Sequence, residues 1–192
     1  MRKITVILSF VFISIILFGC QQSNDKKLDD GVSNTDNLET QAEVTEGDFT
    51  YRLVTEKAEY SENEPIKIYA ELEYTGDREE IEIFHAASPF YFPMVETTRN
   101  YEIEYGMDMP LLSTTLVKGE PLRREYVGSG GYSSEDKNEY KEFMKRVMNK
   151  EFPAGHYVVN GIADFDIRVS EGTELEEKYQ LEAQVGFSVN PS

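Results

Sequence analysis

Asp164 and Asp166 stand two residues apart in a run that alternates apolar and polar side chains, so both carboxylates project from one face of a strand. Such a pair could move protons or contribute to a Ca²⁺ site. Glu71/Glu73 and Glu102/Glu104 repeat the spacing, however, and mark it as the habit of a solvated strand face. The two histidines, His85 and His156, fall where strands are expected to end, and the chain holds one cysteine. Three or four zinc ligands therefore have no obvious source. No HExxH, CxxC, GxSxG, Walker-type or EF-hand spacing occurs. Gly128-Ser-Gly130-Gly131 opens no strand-to-helix phosphate cradle and reads as a flexible loop. No catalytic residue, metal or cofactor is expected, and an enzyme ranks below a binding module.

The segment Ser88-Pro-Phe90-Tyr91-Phe92-Pro93 is the best candidate for contact with a partner. Neighbours on a strand point to opposite faces, so Phe90, Tyr91 and Phe92 cannot all enter one core. They form either a partly covered strand or an aromatic platform for a partner. Charge narrows the partner. Nineteen Lys and Arg face 36 Asp and Glu, a formal net charge of −17. Nucleic acid and anionic head groups would repel such a chain.

Strands must position these residues. Phe49-Thr-Tyr51-Arg-Leu53 alternates, and Ile66, Ile68, Ala70, Leu72 and Tyr74 share a face. Glu80–Ile83, Tyr101–Tyr105, Ser113–Val117 and Leu122–Val127 are shorter candidates. Two long alternating runs close the chain, from Tyr157 to Val169 and from Tyr179 to Val189. Seven or eight such strands separated by turn residues predict an all-β antiparallel sandwich of immunoglobulin-like type. One helix interrupts it. Ser134 is the expected N-cap, and Tyr140, Phe143, Met144, Val147 and Met148 make an apolar stripe over about four turns of residues 135–150. With 192 residues and 40% hydrophobic content, one domain over residues 48–192 is expected.

The N-terminus carries a different signal. Arg2 and Lys3 precede a fifteen-residue apolar stretch, Ile4 to Phe18, too short for a usual membrane span and suited to a signal peptide. It ends in Leu17-Phe18-Gly19-Cys20, which resembles the bacterial lipobox, Phe18 being larger than the residue usual there. The resemblance implies that residues 1–19 are removed and that Cys20 is lipidated. The protein would then sit on the extracytoplasmic face of a cell membrane, two units more negative than the full chain. Gln21 to Glu46 has no aromatic residue and no periodicity, so residues 20–47 are expected to be a disordered tether.

Tyr60-Ser-Glu-Asn-Glu-Pro-Ile66, Tyr74-Thr-Gly76-Asp77, Ser88–Phe92 and Phe152-Pro-Ala-Gly155-His-Tyr157 resemble elements of Ig-like domains in lipoproteins of Bacillus and relatives. A fainter similarity is to the Bacillus intracellular proteinase inhibitor domain. The first resemblance implies a non-catalytic binding module with an envelope partner. The second implies an envelope protease inhibitor that presents a loop.

Overall fold

The computed structural model describes residues 39–168 and 176–192. Along the chain run β1 (Gln41–Glu46), β2 (Phe49–Thr55), β3 (Glu59–Ser61), β4 (Ile68–Tyr74), β5 (Glu80–His85), β6 (Phe90–Tyr91), β7 (Met94–Glu96), β8 (Tyr101–Ile103), β9 (Leu112–Val117), β10 (Leu122–Glu125), α1 (Asn138–Met148), β11 (Gly155–Arg168) and β12 (Glu176–Asn190). They form two sheets, one ordered β1-β2-β4-β10 and a larger one built on β3-β12-β11-β5-β9. The expected all-β sandwich with one helix is what the chain adopts.

Alternation explains the longer strands. Ile68, Ala70, Leu72 and Tyr74 of β4 are buried, while Tyr69, Glu71 and Glu73 face out. On that outer face one row of charges crosses the whole smaller sheet. Glu43 lies opposite Arg52, Arg52 opposite Glu71, and Glu71 opposite Arg123. Arg52 reaches Glu43 at 2.7 Å and Glu71 at 2.8 Å, and the Arg123 guanidinium lies over the Tyr69 ring. Cross-strand pairs of opposite charge stabilise one register over its neighbours.

The core between the sheets is aromatic at both ends and small in the middle. Tyr157 stacks on Phe187 and Phe165 on Tyr179, each pair directly opposed between β11 and β12. Between them Gly161 opposes Ala183, and the Tyr51 ring from the smaller sheet fills that space. The Tyr51 hydroxyl is fully buried there with no hydrogen-bond partner among the described residues.

Burial raises the pKa of Tyr51 and Tyr157 and pushes Tyr126 up to about 12. The folded state thus keeps protons that the unfolded chain gives up near pH 10, and its stability falls as pH rises. Melting temperature should be flat through neutral pH and drop steeply from about pH 10 upward. A Tm unchanged between pH 9 and 12 would contradict this burial of phenols.

Three sequence expectations need correction. The tether does not extend to residue 47, because Gln41–Glu46 pairs along its length with β2. This strand is nearly all exposed, so its backbone ladder holds it and no apolar rhythm announces it. The missed signal was Gly47-Asp48, a two-residue hairpin turn in which Gly47 takes φ 56°. The helix is also shorter than expected. It spans three turns, its N-cap is Lys137 without a side-chain bond, and Ser134 does not cap it. Asp136 instead accepts from the Ser133 amide and closes a separate turn. Its apolar stripe does face the core, with Phe143, Met144 and Val147 buried. Finally, the glycine loop lies flush on this helix, since a Cβ at Gly130 would overlap the Met144 methyl.

Candidate functional site

One edge of β11 is shared by three short strands in series. Phe84 of β5 lies opposite Asp166, Tyr91 of β6 opposite Ile162, and Met94 of β7 opposite Val159. Five residues separate Phe84 from Phe90, against two between their partners on β11, so residues 85–89 bulge from the ladder. Beyond the bulge one register holds through Glu96. The carbonyls of Pro89 and Pro93 accept from the Asp164 and Asn160 amides, both at 2.8 Å. Each proline lacks the N–H that would return the second bond, which divides this stretch into β6 and β7.

Alternation along it decides the aromatic question. Phe90 and Phe92 are 0% and 1% exposed and point into the core, as do Met94 and Glu96. Phe90 stacks on Tyr51, and Phe92 meets Tyr105 and Tyr126 edge to face. As contact residues for a partner, Phe90 and Phe92 are therefore ruled out. Tyr91 alone faces outward, half-buried, with Tyr105 against its ring at 6.2 Å and its hydroxyl donating to Met109 Sδ at 3.6 Å.

Tyr91 borders a shallow cavity of about 200 Å³ on the outer face of the larger sheet, lined also by Asp164, Asp166, Lys178, Met109 and Leu111. Lys178 pairs with Asp164 at 3.2 Å. Burial first, and then the Asp164 carboxylate, raise the Tyr91 hydroxyl above its ordinary pKa, with Lys178 opposing. Met109 and Leu111 are 77% and 76% exposed, so two apolar side chains project at the cavity rim. No periodic pattern contained them, and sequence reasoning missed both.

The histidines are held by neighbours. His85 also lines this cavity, but its Nδ1 donates to the Ala86 carbonyl and its Nε2 meets the Thr114 hydroxyl, each at 2.8 Å. His156 meets Ser188 through Nδ1. Among the described residues no three His, Cys, Asp or Glu side chains are grouped as a metal site would require. Glu96, also missed, is fully buried. It accepts from the Thr98 and Arg99 amides at 2.9 Å and pairs with the Arg99 guanidinium, which fixes the β7–β8 turn.

A larger cavity, about 500 Å³, lies between the β3–β4 loop, Tyr126 and the end of α1. Two of its charged groups are paired with neighbours, Glu64 with Lys57 and Lys67 with Glu56, and Glu125, Lys150 and Glu151 also line it.

Cys20 and the apolar N-terminal stretch lie outside the described residues. Among those described, no helix is long and apolar enough to cross a membrane. No protein-family model matches the chain, and no curated protein is significantly similar to it.

Proposed function

We propose that this chain is a lipid-anchored extracytoplasmic binding module of the immunoglobulin-like class, acting on an envelope partner without catalysis. The observation that carries the binding reading is the outer-face cavity. An outward tyrosine, two carboxylates and two projecting apolar side chains meet there, and of these Tyr91 and Met109 are of the types that contact surfaces favour. The anchor rests on the lipobox-like Leu17-Phe18-Gly19-Cys20 and on the absence of any second cysteine. Two acyl chains suffice for stable anchoring.

The test has two arms. Cys20→Ala should abolish acylation and normal processing. A variant that still fractionates with membranes as a cleaved chain removes the anchor from the reading. In cross-linking on intact envelopes, Tyr91→Ala and Asp164→Asn should each lower recovery of the wild-type partner about tenfold, as loss of a contact hot spot does. Recovery by both variants equal to that of the wild type refutes this surface. A second reading, a loop inhibitor of envelope proteases, is favoured by the exposure of Met109 and Leu111. It requires that Met109→Asp relieve inhibition of an envelope protease.

A further inference from the structure

We infer that β9 is a self-association edge, through which two copies of this chain pair antiparallel about Thr114 and continue the larger sheet from one molecule into the other. β9 pairs with β5 on one side only. On its other side, among the described residues, the one backbone hydrogen bond is at its end, where the Val117 carbonyl accepts from the Glu120 amide at 3.0 Å in the turn that follows, and residues 112–116 make none. An unpaired edge is a template for another strand, and natural sequences blunt it with charge, proline or brevity. The other edges of this molecule follow that rule. β1 carries Glu43 and Glu46, β10 carries Arg123, Arg124 and Glu125, and β3 and β8 have three residues each. From Leu111 to Val117, Leu-Leu-Ser-Thr-Thr-Leu-Val, there is neither charge nor proline, in a chain with 36 acidic residues.

The occupant follows from matching this segment to itself. With Thr114 opposite its own copy, Ser113 meets the second copy's Thr115, Leu112 its Leu116 and Leu111 its Val117. Hydroxyl faces hydroxyl and apolar faces apolar at every position. Leu111, Leu112 and Val117 are 76%, 45% and 42% exposed in the single chain, and this register would cover them. It also brings Lys118 to the strand end that the second copy's Asp108 precedes. Centring one residue later would set Leu112 against Lys118 and Ser113 against Val117. Side chains on opposite strands interact when directly paired, so the first register is selected. The large negative charge of each copy opposes association, and screening by salt should strengthen it.

The test uses the full chain in non-ionic detergent, with Cys20→Ala so that an introduced thiol is alone. Directly opposed strand positions meet disulfide geometry better than positions two residues off. Under mild oxidation, a mixture of Ser113→Cys and Thr115→Cys chains should therefore cross-link about fivefold faster than either alone. Sedimentation should show a dimer that salt strengthens and that Leu111→Lys with Val117→Lys dissolves. The inference is overturned by a chain that stays monomeric from 0.1 to 0.5 M salt, roughly the range over which screening acts. It is also overturned by a dimer indifferent to the two lysines, or by mixed cross-linking no faster than the single variants. Capture of a different protein's strand at β9, with no dimer, overturns it too.

Discussion

Phe90→Ala and Phe92→Ala should each lower the unfolding free energy by about 3–5 kcal/mol, whereas Tyr91→Ala between them should cost about 1 kcal/mol. Both phenylalanines fill the space between the sheets against aromatic neighbours, so each truncation leaves a cavity that the surrounding rings cannot close. Tyr91 stands on the outer face and loses only its edge contact with Tyr105 and its bond to Met109. Chemical denaturation of the three variants reads the difference directly. Three equal losses would mean that this stretch is not a strand in the register given by its pairing with β11. The contrast also matters for the proposed function, because it leaves Tyr91 as the one member of the trio that can be altered at a binding surface without unfolding its support.

The second large effect concerns Gly161. A Cβ there would collide with the Tyr51 hydroxyl and lie 2.7 and 2.8 Å from the Leu53 methyls. Gly161→Ala should therefore destabilise by about 1–3 kcal/mol through overpacking, although alanine suits a strand better than glycine. Tyr51→Phe should have the opposite sign. It deletes a buried hydroxyl without a hydrogen-bond partner among the described residues, a group whose desolvation costs about 1–3 kcal/mol, and should leave stability unchanged or raise it. The double variant should recover part of the alanine's loss, with a coupling above about 0.5 kcal/mol, because the oxygen is gone while the Leu53 methyls remain. Strict additivity in the cycle would place the two residues out of contact.

Legibility in the sequence depended on how each strand is held. β2, β4, β11 and β12 bury every second side chain, and their rhythm can be read from residue types alone. β1 buries almost nothing and is fixed by its ladder, its turn and the Glu43–Arg52 pair, none of which leaves a periodic trace. In the 88–96 stretch Pro89 and Pro93 are residues that central strands disfavour, yet each keeps its carbonyl bond to β11 and forgoes only the other. The start of the helix was misplaced because Ser133, Ser134 and Asp136 form a turn of their own ahead of it. Half of the site was legible. Tyr91, Asp164, Asp166 and His85 stood out by type, but their meeting at one cavity depends on the bulge at 85–89, and Met109 and Leu111 belong to a loop without pattern.

The dependence of the larger sheet on its last two strands has a consequence for how the chain comes into being. β5, β6 and β7 find their partner in β11, and β3 finds its partner in β12. Synthesis runs from the N-terminus, so everything ahead of Gly155 emerges before these pairings with β11 and β12 can form, although β5 can already meet β9 and β7 can meet β8. The smaller sheet can assemble first, but its apolar side, from Phe49 and Leu53 to Leu72, then lies bare until residues 155–190 arrive to cover it. A nascent chain of this design closes its core late, around β11 and β12.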